Sequence, residues 1–243
     1  MNNIPVSLKG ITKKYGNFSA VDKISFSMNS GEILGFLGPN GAGKSTCLKM
    51  ICGFLKPTEG NILVYGKDPF ESGVEVRKEI GVVPEELQIY DRLTGRELVE
   101  FSAKIHQIKE DVYLPWMKEL FKMMDLELKI DQFVMDYSHG MKKKLALIIS
   151  LIHKPKVLFL DEPFTGMDAL SVIRVRKLLE SLKEDGMSIF FSSHILEVVE
   201  KVCDRIAIIF EGKLKAIGTK EELLEKFGIS SIEDIFLNLS EKD

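Results

Sequence analysis

The chain alternates between two textures. Apolar and polar positions alternate through VSLKGITKKYG (6–16) and AVDKISFSMNSGE (20–32), which predicts two short strands broken by Gly and Asn. EILGFLG (32–38), VLFLDEP (157–163) and MSIFFSSH (187–194) are instead apolar without alternation. Such runs suit parallel strands buried on both faces. NILVYG (61–66) and IGVVP (80–84) predict further strands. KSTCLKMICGFL (44–55) carries apolar residues at helical spacing, and Gly53, Pro57 and Gly60 punctuate its exit. From Leu93 to about Ser150 glycine thins out and the spacing turns helical, as in GRELVEFSAKIHQI, LPWMKELFKMM and GMKKKLALIISLI. Helices are also predicted over 171–183 and over ILEVVEKVCDRI (195–206). IAIIFEGKLKAIG (206–218) reads as a hairpin turning at Glu211-Gly212, and the tail from Lys220 to Asp243 reads as helical. The pattern predicts an α/β chain with a helical insertion.

Composition narrows this picture without redirecting it. The 243 residues are 45% hydrophobic and 28% charged, enough for one large domain or two small ones. The formal charge of -3 gives no support for a nucleic-acid partner, which usually asks for a basic stripe. The run Lys142-Lys143-Lys144 is expected to be a solvated face. Cys47, Cys52 and Cys203 form no CxxC pair and suit a reducing compartment as small core residues. LALIISLI (145–152) is too short to span a bilayer, and the N-terminal stretch lacks an apolar signal core. Any membrane spans are therefore expected on another polypeptide.

The candidate chemistry lies where buried strands end. GPNGAGKST, made of Gly38, Pro39, Asn40, Gly41, Ala42, Gly43, Lys44, Ser45 and Thr46, follows one strand and opens a helix. It fits G-x-x-x-x-G-K-[ST], a loop whose backbone N–H groups wrap phosphate oxygens. Lys44 adds charge to those oxygens, the Ser45 hydroxyl is a candidate Mg2+ ligand, and the helix N-terminus adds its dipole. VLFLDEP ends in two acids at the sheet edge that receives ligands in α/β folds. Asp161 is expected to hold Mg2+ through water, and Glu162 to act as general base toward an attacking water. His194, directly after a third buried strand, is a candidate γ-phosphate sensor. Asp168 in TGMD precedes an apolar helix and also suits an N-cap.

GPNGAGKST, YSHGMKKK, VLFLDEP, TGMD and SSH, in that order, resemble the ATP-binding cassette ATPases over about residues 7–218. The resemblance implies a P-loop, RecA-like α/β core with an antiparallel β subdomain (1–92 and 151–218), an inserted helical subdomain (93–150) and a C-terminal helical tail (219–243). It implies ATP and Mg2+ as ligands, and two cassettes facing head to tail with ATP between them. Tyr15 matches the aromatic that stacks on adenine, with a strand-end core role as its alternative. Glu85 stands where relatives usually carry Gln and could approach Mg2+ or the attacking water, or be a solvent-facing loop acid. The signature acts in trans: Ser138, Gly140 and the helix that follows reach the γ-phosphate on the opposite cassette. His139 replaces a glycine and Met141 a glutamine, giving a working variant if His139 tolerates the backbone that Gly would take. PEELQIYDRLTGREL resembles exporter cassettes, so the implied function is the ATPase subunit of an exporter. It would sit on the cytoplasmic face of the cell membrane beside a separate permease subunit. An importer ATPase and a non-transport cassette ATPase are the alternatives.

Overall fold

A computed structural model describes residues 4–240. Residues 1–3 and 241–243, the ends of the N-terminal stretch and of the tail, lie outside the described residues. Two sheets form. The first is antiparallel, ordered β2-β1-β4, from β1 (Val6–Tyr15), β2 (Phe18–Met28) and β4 (Glu59–Val64). β1 and β2 run ten and eleven residues, longer than the short strands expected. Gly10 does not break β1. Its φ of 59° sits in a register shift between Leu8 and Ile11, and its N–H donates to Ser25 Oγ at 2.8 Å. The glycine is a bulge inside a strand.

The second sheet has the order β5-β6-β7-β3-β8-β9. Its strands are β3 (Ile33–Leu37), β5 (Ile80–Val83), β6 (Val157–Asp161), β7 (Ser188–Ser193), β8 (Arg205–Phe210) and β9 (Lys213–Gly218). All neighbours are parallel except β9, which returns antiparallel to β8 through a turn with φ 45° at Glu211 and 74° at Gly212. The unbroken apolar runs have a physical cause: both sheet faces are buried. Leu158, Leu160, Ile189 and Phe191 point into one core, while Val157, Phe159 and Phe190 point into another with β1, β2 and the helix α1 (Lys44–Ile51). Each such side chain contributes roughly 1.5–3 kcal/mol by leaving water.

The segment expected to be helical contains α3 (Gly95–Ile105), α4 (Glu110–Met123) and α5 (His139–Leu151), with two single 3-10 turns between α4 and α5. Thr94 and Glu97 form a reciprocal capping box at the start of α3. Four local readings change. α2 (Gly73–Glu79) is a seven-residue helix that the apolar spacing does not announce. After α6 (Ala169–Glu184), the helix α7 ends at Val202 (Leu196–Val202) rather than running to Ile206. There Asp204 exchanges backbone and side-chain hydrogen bonds with Ile33, its N–H donating to Ile33 O at 2.9 Å and its Oδ2 accepting from Ile33 N at 2.8 Å. That pairing draws the chain into β8. The tail splits into α8 (Lys220–Phe227) and α9 (Ile232–Ser240) because Gly228 caps α8 in the left-handed conformation.

The fourth change concerns the lysine run. Lys143 and Lys144 are 2% and 6% exposed, not a solvated face. Only Lys142 reaches outward, pairing with Asp91 Oδ1 at 2.8 Å. α5 lies against both α3 and α4 and against β5, so two lysines of three consecutive positions must point inward. Cys47 and Cys52 are buried thiols and Cys203 is half-buried; burial pushes the Cys47 thiol up to about 12.

Candidate functional site

Sheet order brings the chemistry together. β5, β6, β7 and β3 are neighbours and parallel, so their C-terminal ends share one edge. Glu85 follows β5, Asp161 and Glu162 end β6, His194 follows β7, and the 38–46 loop follows β3. The chain turns to opposite sides of β3 to reach β7 and β8, the kind of switch point where ligands bind. A cleft of about 540 Å3 opens there, lined by Tyr15, Asn40, Gly41, Gly43, Lys44, Ser45, Thr46, Glu85 and Glu162.

The loop is shaped for an anion. Gly41 and Gly43 have φ of 81° and 98°. A Cβ on Gly43 would lie 2.3 Å from the Ala20 carbonyl oxygen, so nothing larger than glycine fits. Gly38 N donates to Ser193 O, Ala42 N to Pro39 O and Gly212 N to Ala42 O, fixing the loop to β7 and to the β8–β9 turn. Lys44 is 6% exposed and folds back, its Nζ donating to Gly38 O at 2.8 Å and Pro39 O at 3.0 Å. A buried ammonium resting on its own loop carbonyls is a cation held ready for a stronger acceptor.

Glu162 is the most constrained residue of the edge. Its φ is 48°, and among described non-glycine residues with positive φ it alone is buried. Such a conformation costs on the order of 1–3 kcal/mol and persists only where surroundings hold it. Its N–H donates to Ser192 O and to Ser192 Oγ, both at 3.2 Å, and its carbonyl accepts from Lys143 Nζ at 2.7 Å. Its carboxylate lies between two bases: Oε2 is 3.0 Å from His194 Nδ1, and Oε1 is 3.4 Å from Lys44 Nζ. Oε1 is buried yet accepts no hydrogen bond among the described residues. Its charge is met by the Lys44 ammonium as an ion pair, which leaves its lone pairs free to accept a hydrogen bond. Asp161 is 3% exposed and accepts from Ser192 Oγ, which steadies it at the end of β6.

Tyr15 is 52% exposed, which removes the strand-end core role. Phe18, its cross-strand partner, is 65% exposed and lines the same cleft. Glu85 is exposed and lines the cleft too, so it is both a loop acid and within the site. Ser138, Gly140 and Asp168 do not line this cleft. Ser138 Oγ accepts from Met141 N at 3.2 Å as the cap of α5. Asp168 caps α6, accepting from Ser171 N at 2.9 Å and Ser171 Oγ at 2.7 Å. His139 begins α5 without a positive φ, so no left-handed backbone is demanded of it. Its ring lies over Gly166, where a Cβ would come 2.9 Å from His139 Cδ2.

Three residues of the site escape sequence reasoning: Lys143, Ser192 and Phe18. SSH at the end of an apolar strand was a usable signal for Ser192, and the polar pair flanking Tyr15-Gly16 hides Phe18. Nothing local marks Lys143.

Comparison with known proteins agrees with this geometry. Residues 21–165 match the family described as ABC transporter. The chain is 36% identical over 237 residues to the linearmycin resistance ATP-binding protein LnrL of Bacillus subtilis, covering 94% of this chain and 76% of that one. It is 38% identical over 205 residues to the bacitracin transport ATP-binding protein BcrA of Bacillus licheniformis, covering 84% of this chain and 66% of that one. A solved structure of the ATP-binding subunit of an ABC transporter superposes with a TM-score of 0.91 at 28% identity, covering 97% of this chain and 99% of that one. The phosphate loop, the paired acids and the sheet that presents them are those of a P-loop ATPase, and the chain belongs to the ATP-binding proteins of the ABC transporter family.

Proposed function

We propose that this chain binds and hydrolyses ATP to drive export through a separate integral-membrane permease subunit. The observation that carries the hydrolytic part is the buried Glu162 carboxylate at the end of β6, with Oε2 3.0 Å from His194 Nδ1 and Oε1 3.4 Å from Lys44 Nζ. Glu162 orients the attacking water and takes its proton as the bond to the γ-phosphorus forms. Lys44 exchanges the Gly38 and Pro39 carbonyls for β- and γ-phosphate oxygens. His194 fixes the other carboxylate oxygen of Glu162 and faces the γ-phosphate from β7. Tyr15 offers an exposed ring to adenine, with Lys13 Nζ over it 5.4 Å from the centroid.

The residues present fit Mg2+ as part of a substrate complex. No group of three His, Cys, Asp or Glu among the described residues could enclose a metal alone. Mg2+ commonly takes only one or two protein ligands beside phosphate and water, and Ser45 with Asp161 supplies that number, with Glu85 near the cleft mouth. When bound, the ion neutralises phosphate charge.

Ser138 is exposed at the start of α5 and, like Gly140, does not line this cleft, so we assign both to the cleft of a second cassette, a copy of this chain or another. We read residues 1–92 and 151–218 as the nucleotide-binding core, 93–150 as the helical unit that carries this trans surface, and 219–243 as an appended tail. For the permease, the supporting surface is a groove of about 430 Å3 between α2, α3 and the end of α5. Phe54, Val74 and Ile105 line it and are each more than 60% exposed, an apolar rim suited to a short helix of the partner. No helix among the described residues is long and apolar enough to cross a membrane. With a permease as partner, the place of work is the cytoplasmic face of the membrane. Export is favoured over import by the linearmycin and bacitracin relatives.

The test is Glu162→Gln. It keeps shape and removes the base. Steady-state turnover should fall at least 100-fold while ATP affinity, measured by equilibrium binding, stays within about threefold. Turnover at the wild-type rate would remove Glu162 from the mechanism.

A further inference from the structure

Lys143 lies in the second half of YSHGMKKK, outside the phosphate loop, yet it is a buried cation bonded to the backbone of the site's most strained residue. It lies in the second turn of α5 and is 2% exposed. Its Nζ donates to the carbonyl of Glu162 at 2.7 Å. Burial holds the ammonium below the usual lysine range, and the carboxylates of Glu85, Glu162 and Asp161 pull it back up. Three acids of the cleft thus bear on one lysine from the neighbouring helix. On the other side, Ser192 receives the Glu162 N–H through both its carbonyl and its hydroxyl. The peptide groups before and after Glu162 are therefore gripped by β7 and by α5, and between those grips the residue adopts φ 48°.

We propose that Lys143 is a positioning residue that holds the Glu162 carboxylate in its reactive orientation and ties it to α5. The proposal rests on the reading of Glu162 as the general base. α5 starts at His139 under the Ser138 cap, the end that faces outward. Lys143 is little more than one turn further along, about 1.5 Å of rise per residue. His139 touches Gly166 at the far end of the same loop. The helix whose tip would engage the nucleotide of the opposite cassette thus holds one end of the segment 162–166 in its own chain by a hydrogen bond and lies beside the other. A displacement of its tip reaches Glu162 through one rigid helix and one charge-assisted hydrogen bond.

Lys143→Met keeps length and apolar stem and removes the donor. Lys143→Arg keeps charge and donors. Both are compared with wild type and Glu162→Gln in steady-state ATP hydrolysis, with thermal unfolding as the folding control. Misplacing a catalytic group by about 1 Å costs on the order of 100-fold. Lys143→Met should therefore lose roughly 10- to 100-fold in kcat with KM for ATP within about twofold, and Lys143→Arg should recover most of that loss. The proposal is overturned if Lys143→Met keeps wild-type kcat, if Lys143→Arg is as impaired as Lys143→Met, or if KM rises in step with the loss. An inactive Glu162→Gln beside a fully active Lys143→Met overturns only the role of Lys143. A fully active Glu162→Gln overturns the reading of the base itself.

Discussion

The nucleotide cleft and the outer tip of α5 are built on opposite plans. At the cleft, Lys44 and Glu162 and the adjoining Asp161 are each no more than 6% exposed, and backbone hydrogen bonds at Gly38 and Ala42 tie the loop to β7 and to the β8–β9 turn. At the tip, Ser138 and His139 are exposed, and the contacts holding them are a helix cap and a ring against a glycine. The cleft draws its phosphate loop and paired acids from one chain. The tip presents unspent N–H groups and a helix dipole to whatever lies outside. A site that must bind before its partner arrives needs its geometry fixed in advance, whereas a surface that closes on a second molecule needs only the right atoms facing outward. Substitutions should therefore be severe in the first region and mild in the second.

The sharpest test of that contrast is Gly43→Ala. The added methyl meets the Ala20 carbonyl at 2.3 Å, and φ of 98° suits no L side chain. The loop must shift away from β2, spoiling the N–H array. ATP affinity should fall more than about 100-fold by equilibrium binding, equivalent to about 2.8 kcal/mol. Retained affinity would show that the cleft is far more compliant than its contacts suggest.

A second prediction concerns the other end of α5. His153, just beyond that helix, stacks on His106 with ring centroids 3.9 Å apart and approaches Ile80 O through Nε2 at 2.9 Å. Its buried Nδ1 makes no hydrogen bond among the described residues. Burial, then the neighbouring His106, pushes the His153 imidazole down to about 4 from 6.5, with the Ile80 carbonyl opposing. A base whose folded pKa is depressed binds fewer protons folded than unfolded, so stability falls as pH drops from about 6.5 toward 4 and levels off below. Discounted for partial exposure, the loss is roughly 1–2 kcal/mol. His153→Gln keeps a donor for Ile80 O and cannot titrate there. Its urea midpoint should change less between pH 7 and pH 5 than that of wild type. Equal slopes for the two chains would show that His153 is not held neutral.

Much of this was legible because strand ends are written locally. An apolar run stopping at Gly38, at Asp161-Glu162 or at His194 states both that the strand is buried and that its edge carries chemistry. The parallel order of those strands then follows from burial on both faces. What stayed hidden depends on distant partners. Lys143 points inward where α5 packs on its neighbours, and the Glu162 carbonyl, nineteen residues on, receives it. α7 stops at Val202 only because Asp204 finds Ile33. The Gly10 bulge needed Ser25 on the adjacent strand. Local propensity was overruled in each case by a hydrogen-bonding group that sequence spacing cannot locate.

The mildest effect belongs to His139, and it is best measured against Gly166. His139→Gly removes a side chain at the first position of α5 that makes no bond toward the cleft. ATP turnover should stay within about threefold of wild type, since a glycine at a helix start costs only a few tenths of a kcal/mol more than its competitors. Gly166→Ala should cost more, because its φ of 75° disfavours any Cβ and the methyl would press on His139 Cδ2 at 2.9 Å. The left-handed backbone alone costs alanine roughly 1–2 kcal/mol. Combining the two substitutions removes the ring that the methyl strikes but leaves the backbone cost. The double variant should therefore melt above Gly166→Ala and below wild type. That non-additivity is the signature of direct contact between the α5 tip and the loop after Glu162. Strict additivity would mean that the two do not touch in solution, and that the tip is freer of its own cleft than the packing of His139 on Gly166 requires.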